Sequence, residues 1–259
     1  MSYLDLSIVE MHEAIISGKV TPLELVTEAI SRAKADNNNA FEYICEKEAL
    51  EAAASLDETK KNNLLWGIPY ALKDNFSTKD IPTTASSNIL NGYKPIFSSE
   101  VYNRLNAAGA IMIGKTTLDE LAMGGTGTTG HLGKTFNPWD PEHLHQIGGS
   151  SCGSAAACAA SIVPFAIGSD TGDSVRKPAS HAALVGLKPT WGRISRFGLF
   201  PFAPSMDHVG FFTRNVKDSA IVLEALSGRD FKDSTSSTVD VEQYSENIKS
   251  DLKGKKIAV

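Results

Sequence analysis

The sequence predicts an α/β fold: a largely parallel or mixed β-sheet core covered by helices. Three observations carry this reading. Short continuous apolar runs, such as Ala110-Ile-Met-Ile113, suit strands buried on both faces. Segments with apolar residues at helical spacing alternate with those runs. The 259 residues are 42% hydrophobic and 21% charged, enough to fill the core of an ordinary soluble protein.

Each element has its own signal. Thr21-Pro22-Leu23-Glu24 predicts a helix start, with Thr21 as N-cap, Pro22 at the first helical position and Glu24 closing a capping box. Leu23, Val26, Ile30 and Ala33 continue at helical spacing until the polar run Asp36 to Asn39. A second helix is expected around Glu46 to Leu56. Ile68 to Leu72 reads as a short strand ending in Lys73-Asp74-Asn75. Val101 to Ala108 reads as a helix stopped by Gly109, and Ala110 to Ile113 as the next strand. Ser154 to Ser161 is a helix of small residues, followed by an apolar strand over Ile162 to Ile167. Asn215 caps a helix that runs to Leu226 and stops near Gly228. Asp230 to Asp251 is polar and reads as surface or linker. Lys256 to Val259 begins a strand in which the chain stops, so a piece of a longer protein is expected. The organisation read from this pattern is N-terminal helices (1–62), a catalytic core (63–228), a polar linker (229–253) and the start of another strand (254–259).

Charge and cysteine usage narrow the function. Lys and Arg number 25 against 30 Asp and Glu, a net charge of −5, which excludes a polycation that holds nucleic acid by bulk charge. No run approaches the roughly 20 apolar residues of a membrane span. The N-terminus lacks the basic region of a signal peptide. Cys45, Cys152 and Cys158 are odd in number and scattered, so a disulfide framework is not expected and a reducing cytoplasm is. No CxxC pair exists and the only close histidines, His143 and His145, lie in a polar loop, so no metal site is expected.

Two stretches stand out chemically: Gly148-Gly-Ser-Ser-Cys-Gly-Ser154 and Gly168-Ser-Asp-Thr-Gly-Asp-Ser174-Val-Arg-Lys-Pro178. They bracket an apolar helix and strand. Glycines let backbone N–H groups approach a substrate, and several N–H groups beside a serine make an oxyanion hole with its nucleophile. Each stretch also reads as a plain Ser/Gly turn capping a helix. Three other motifs compete. Gly109-Ala-Ile-Met-Ile-Gly-Lys115-Thr116 fits a phosphate-binding loop letter by letter, but its four middle residues favour a strand over a flexible cradle. Gly149-Ser-Ser151-Cys-Gly153 fits a nucleophile elbow, with His181 or His208 to complete a triad, yet the preceding Pro141 to Gln146 is too polar for the buried strand that motif needs. Ser250-Asp-Leu-Lys253 fits Ser-x-x-Lys but falls in the polar tail. Lys73 reads either as a solvated strand end or, if it meets the serine turns, as a base. A base must be neutral, and a lysine pKa of about 10.4 has to fall by roughly 3 units to serve near pH 7.

Taken together, Gly67-Ile-Pro-Tyr-Ala-Leu-Lys73-Asp-Asn75, Gly148 to Ser154, Gly168 to Pro178 and the Ser150–Ser174 spacing resemble the amidase signature family. Asn137-Pro-Trp-Asp140, Leu187 to Leu199 and Thr213 to Asp218 resemble its branch of glutaminase subunits serving tRNA-dependent amidotransferases. The likeness covers nearly the whole chain and only the N-terminal part of such subunits. It implies a Ser–cis-Ser–Lys triad: Ser174 as nucleophile, Ser150 behind a cis peptide bond as proton relay, and Lys73 as base. Backbone N–H groups of Thr171, Gly172, Asp173 and Ser174 would hold the oxyanion. It further implies hydrolysis of the glutamine side-chain amide through an acyl-Ser174. The ammonia would go to B and C subunits of a heterotrimer, which amidates Glu-tRNA(Gln), Asp-tRNA(Asn) or both. No cofactor is implied in this chain; ATP and Mg serve the whole complex. Asp173 and Cys152 depart from the family pattern, which has glycine at both. The missing C-terminal part carries groups that recognise the substrate's amino-acid end. A stand-alone amidase and a catalytically silent fragment are the alternatives.

Overall fold

The computed structural model describes residues 2–248 and 251–257. In chain order the main elements are α1 (Ile8–Ile16), α2 (Pro22–Lys34), β1 (Phe41–Ile44), α3 (Glu46–Ala54), β2 (Pro69–Lys73), α4 (Glu100–Ala107), β3 (Ile111–Thr116), α5 (Cys152–Ala159), β4 (Phe165–Asp170), α6 (Arg176–His181), β5 (Val185–Leu187), β6 (His208–Thr213) and α7 (Val216–Leu226). The strands form one mixed sheet in the order β1-β3-β2-β4-β6-β5. Its centre, β3-β2-β4, is parallel, and the outer strands β1, β6 and β5 pair antiparallel.

Local chemistry explains the helix boundaries. Thr21 accepts from the Glu24 N–H while Glu24 reaches back to the Thr21 N–H, and Pro22 occupies the first turn. Ser7 and Glu10 build the same box on α1, a helix the sequence reading passed over. Asn215 caps α7 through the Asp218 N–H. All eight residues of α5 are buried, and no side chain among them exceeds cysteine. That small helix packs closely on the central strands.

The sheet centre positions the chemistry. All residues of β2, β3 and β4 are buried. Because β2 and β4 are parallel neighbours, their carboxyl ends share one edge, and that edge brings Lys73 and Ser169 together.

Several boundaries differ from the sequence reading. The strand expected over 162–167 is β4 at 165–170; Ser161 turns the chain at φ 53° and delays it. The segment read as N-terminal helices contains β1, which closes the sheet edge against β3. The polar segment after residue 228 is held to the body. Arg193 donates to the Val239 and Asp240 carbonyls at 2.7 Å each, and Asp230 and Asp233 are buried. The strand expected at 254–259 is not one: residues through Ile257 lie outside any strand, and Ala258 and Val259 fall outside the described residues.

The phosphate-loop motif is also corrected. Residues 111–116 are a buried strand, and Lys115 is wholly buried. Its ammonium pairs with Asp74 at 3.0 Å and donates to the Phe76 carbonyl and the Thr83 hydroxyl at 2.9 Å each. All three of its protons are thereby used. Removing one partner of a buried ion pair typically costs about 3–5 kcal/mol. Lys115→Ala is therefore expected to lower unfolding free energy by about that amount in urea titration. A loss below about 1 kcal/mol contradicts this structural role.

Candidate active site

β2 ends by driving the Lys73 side chain into the protein, where it is wholly buried. Three hydroxyls surround its amine: Ser150 Oγ at 2.7 Å, Ser151 Oγ at 2.9 Å and Ser169 Oγ at 3.0 Å. Ser150 and Ser151 lead into α5, and Ser169 lies on β4. No carboxylate forms an ion pair with Lys73 among the described residues. Burial is the largest influence on it and holds its pKa down to about 7, against the upward pull of Cys152, Asp119, Asp170 and Asp207. Lys73 is thus a buried amine that gives up its proton near neutral pH rather than a solvated strand end.

Two buried carboxylates shape the turns around it. Asp119 accepts from the N–H groups of Thr126, Gly127, Thr128 and Thr129 and from the Thr129 hydroxyl. Burial pushes its carboxyl up, but these bonds outweigh burial and hold it below the usual range. Its own N–H donates to the Ser150 carbonyl at 3.1 Å. A side chain at Gly149 would collide with the Asp119 carboxylate, which explains the glycine there. The Gly149–Ser150 peptide is cis. Gly168 is required as well, since a Cβ there would sit 2.7 Å from Ser151 Oγ.

Asp170 holds the second turn. It accepts from the Val175 and Arg176 N–H groups and grips the Arg176 guanidinium through both oxygens, at 2.9 and 3.2 Å. Burial raises the Asp170 pKa, and these bonds more than reverse it. Between Asp170 and α6 the chain forms the loop Thr171 to Ser174. The N–H groups of these four residues have no acceptor among the described residues. Successive free N–H groups form a concavity suited to an anion. Thr171 is anchored from behind, its hydroxyl donating to Asp207 at 2.6 Å. The Ser174 carbonyl accepts from the Ser151 N–H at 3.2 Å. The Ser174 hydroxyl has no hydrogen bond among the described residues, to Ser150 or any other group.

The two departures from the family pattern fall differently. Asp173 is exposed and lies close enough to Arg176 to help raise its pKa. Cys152 is buried; its thiol accepts from the Thr135 hydroxyl at 3.3 Å, and burial pushes its pKa up to about 11, so it stays a thiol. The nucleophile-elbow reading is not supported. No strand precedes Ser151, whose hydroxyl is occupied by Lys73 and the Ser169 carbonyl. His181 and His208 bond the Gln146 and Met206 carbonyls. Ser250 of the Ser-x-x-Lys motif lies outside the described residues. Ser151 was singled out from sequence only as an elbow nucleophile; Ser169, Asn75, Asp119 and Asp170 were given no role, although all but Asp119 lie inside the stretches that stand out.

A buried lysine amid serines stands beside a loop of free N–H groups, an arrangement suited to acyl-transfer chemistry. The family model described as Amidase matches residues 24–259, and the chain belongs to that family. Among its relatives, the A subunit of glutamyl-tRNA(Gln) amidotransferase from Macrococcus caseolyticus is 46% identical over 255 residues, covering 98% of this chain and 53% of the relative. The crystal structure of the glutamyl-tRNA(Gln) amidotransferase A subunit from Thermotoga maritima matches with a TM-score of 0.77 at 37% identity, over 93% of this chain and 50% of that one. The structure of 6-aminohexanoate cyclic dimer hydrolase matches with a TM-score of 0.86 at 31% identity, over 94% and 51%. The chain spans about half the length of the curated relatives it matches.

The lysine pKa links to stability. Lys73 has a folded pKa of about 7, below its unfolded value of 10.5. Between those values the unfolded state binds one more proton, so stability rises with pH across that window and is flat in this contribution below it. Lys73→Met is expected to remove about 1.4 kcal/mol per pH unit from the slope of unfolding free energy near pH 9. An unchanged slope in parallel urea titrations contradicts a depressed Lys73.

Proposed function

We propose that this chain is the glutaminase part of a tRNA-dependent amidotransferase, with Ser174, Ser150 and Lys73 as its triad. The observation that carries the chemistry is the buried, near-neutral Lys73 amine 2.7 Å from the Ser150 hydroxyl. In this reading Ser174 Oγ attacks the carbonyl carbon of the glutamine side-chain amide. Its proton passes to Ser150 Oγ, whose own proton passes to Lys73 Nζ. The Thr171, Gly172 and Asp173 N–H groups receive the oxyanion. The C–N bond then breaks, the proton returns along the relay to the leaving nitrogen, and ammonia departs from an acyl-Ser174 ester. Water attacks that ester through the same relay and releases glutamate. Contact between the Ser174 and Ser150 hydroxyls forms when substrate is bound, as such bonds commonly tighten only then.

Substrate and partners rest on the names of the relatives. Proteins named for glutamyl-tRNA(Gln) amidation match the whole chain at 42–46% identity. We therefore assign glutamine as donor and B and C subunits as partners. In that heterotrimer ATP and Mg serve the tRNA step, and this chain needs no cofactor. The cytoplasm is the location this role requires. Among the described residues no helix is long and apolar enough to cross a membrane. A stand-alone amidase is the second reading, favoured by the match to 6-aminohexanoate cyclic dimer hydrolase.

A fluorophosphonate probe is expected to label Ser174 in the protein expressed from its complete gene. Ser174→Ala or Lys73→Ala is expected to lower amide hydrolysis by at least about 10³-fold. The rate should rise with pH through about 7 as Lys73 loses its proton. Labelling of Ser151 instead overturns the triad. Glutamine turnover that rises when B and C subunits are added supports the amidotransferase, and turnover indifferent to them supports the stand-alone amidase. Asp173→Gly is expected to speed acylation several-fold, because a carboxylate on the oxyanion loop opposes the charge that develops there. A slower Asp173→Gly variant contradicts that account.

A further inference from the structure

The three hydroxyls around Lys73 are not equivalent, and their hydrogen bonds show why. A neutral amine has two protons and one lone pair, whereas an ammonium has three protons. To act as a base, Lys73 must turn its lone pair to one hydroxyl and its two protons to the others. Ser151 donates to the Ser169 carbonyl at 3.1 Å and accepts from the Ser169 N–H at 3.3 Å, so its own proton is committed. Toward Lys73 it acts only as an acceptor. Ser169 Oγ receives Lys73 Nζ at 3.0 Å and Asn75 Nδ2 at 3.0 Å. Both of its lone pairs are filled, so its proton points away from the amine. Ser150 has no other side-chain bond among the described residues, and its proton alone is free to face the lone pair.

Asn75 is what fixes Ser169 in that state. Its side chain is buried, and its Oδ1 has no hydrogen-bond partner among the described residues. An orphaned buried amide oxygen costs about 1–3 kcal/mol, so stability alone does not explain an asparagine here. Its N–H, aimed at Ser169, does.

We propose that Asn75 is a positioning residue that acts through Ser169 to hold the Lys73 lone pair on Ser150. The proposal rests on Lys73 being the base. Without the Asn75 donor, the Ser169 hydroxyl rotates, its proton competes for the lone pair, and the relay to Ser150 loses its partner. The charged and titratable groups facing Lys73 are Cys152 on α5, Asp119 in the loop before it, Asp170 at the end of β4 and Asp207 before β6. None of them bonds the amine; among the described residues only the three hydroxyls, at 2.7–3.0 Å, and the more distant Ser169 carbonyl, at 3.5 Å, orient it.

The test is the pH profile of fluorophosphonate labelling at Ser174 in the protein from its complete gene. Asn75→Ala and Ser169→Ala should each lower the plateau rate by about tenfold. Because Asn75 acts through Ser169, the double variant should also fall about tenfold, not hundredfold. Ser169→Ala removes an acceptor that favours the ammonium, so its midpoint should move to lower pH. Asn75→Asp adds a negative charge beside the amine and should move the midpoint to higher pH. Ser169→Thr keeps the hydroxyl and should restore the rate. Multiplying effects in the double variant, or unmoved midpoints in Ser169→Ala and Asn75→Asp, overturn the positioning role while leaving Lys73 as base. Labelling that survives Lys73→Ala overturns the base itself, and the positioning role with it.

Discussion

The site depends on one constraint: a lysine amine is held away from water with no carboxylate among the described residues ion-paired to it. The parallel β3-β2-β4 core imposes it by ending β2 inside the protein, beneath α5 and next to β4. Three hydroxyls stand around the amine, and these favour its charge far less than water does. The nearby carboxylates are occupied elsewhere. Asp119 is tied to the 126–129 turn, Asp170 to Arg176, and Asp207 to Thr171 and the Phe202 and Ala203 N–H groups. Each holds a loop in shape around Lys73, and none neutralises its protonated form directly.

Two buried lysines on neighbouring strands show how environment assigns role. Lys73 and Lys115 lie near the same end of the paired strands β2 and β3, and both are wholly buried. Lys115 meets a carboxylate, a carbonyl and a hydroxyl, and it locks the turn that follows β2. Lys73 meets three hydroxyls and, at 3.5 Å, the Ser169 carbonyl, but no carboxylate among the described residues, and keeps an ionisation useful near neutral pH. The ion pair also holds Asp74, the residue next to Lys73, and Asp74 in turn accepts from the Thr84 N–H and hydroxyl at 2.7 Å each. The ion-paired lysine therefore steadies the strand end that carries Lys73.

Much of the core was legible in the sequence because its signals are local. Thr21, Pro22 and Glu24 announce α2, and the apolar run before Gly114 announces β3. Ser150, Ser174 and Lys73 were reached from their glycine-rich and strand-end settings together with the family likeness. The unread parts depend on distant partners. β5 and β6 carry glycines at 186 and 210, which blur the strand pattern; tertiary packing demands them, since a Cβ at Gly210 would sit 2.6 Å from the Leu187 carbonyl. The binding of residues 229–245 to the body runs through Arg104 and Arg193, far away in sequence. The hydroxyls of Ser151 and Ser169 gain their meaning only when β2 and β4 become neighbours. Likewise, Lys115 matched a phosphate-loop spelling until its carboxylate partner, 41 positions earlier, came into view.

The ionisation of Lys73 itself tests this account most directly. In the protein carrying ¹⁵N- or ¹³C-labelled lysine, NMR titration should show one side-chain resonance that changes between pH 6 and 8, with a midpoint at about 7, and that disappears in Lys73→Met. Should the resonance lost in that variant titrate above pH 10, the amine is an ordinary ammonium at neutral pH and the proton relay has no acceptor.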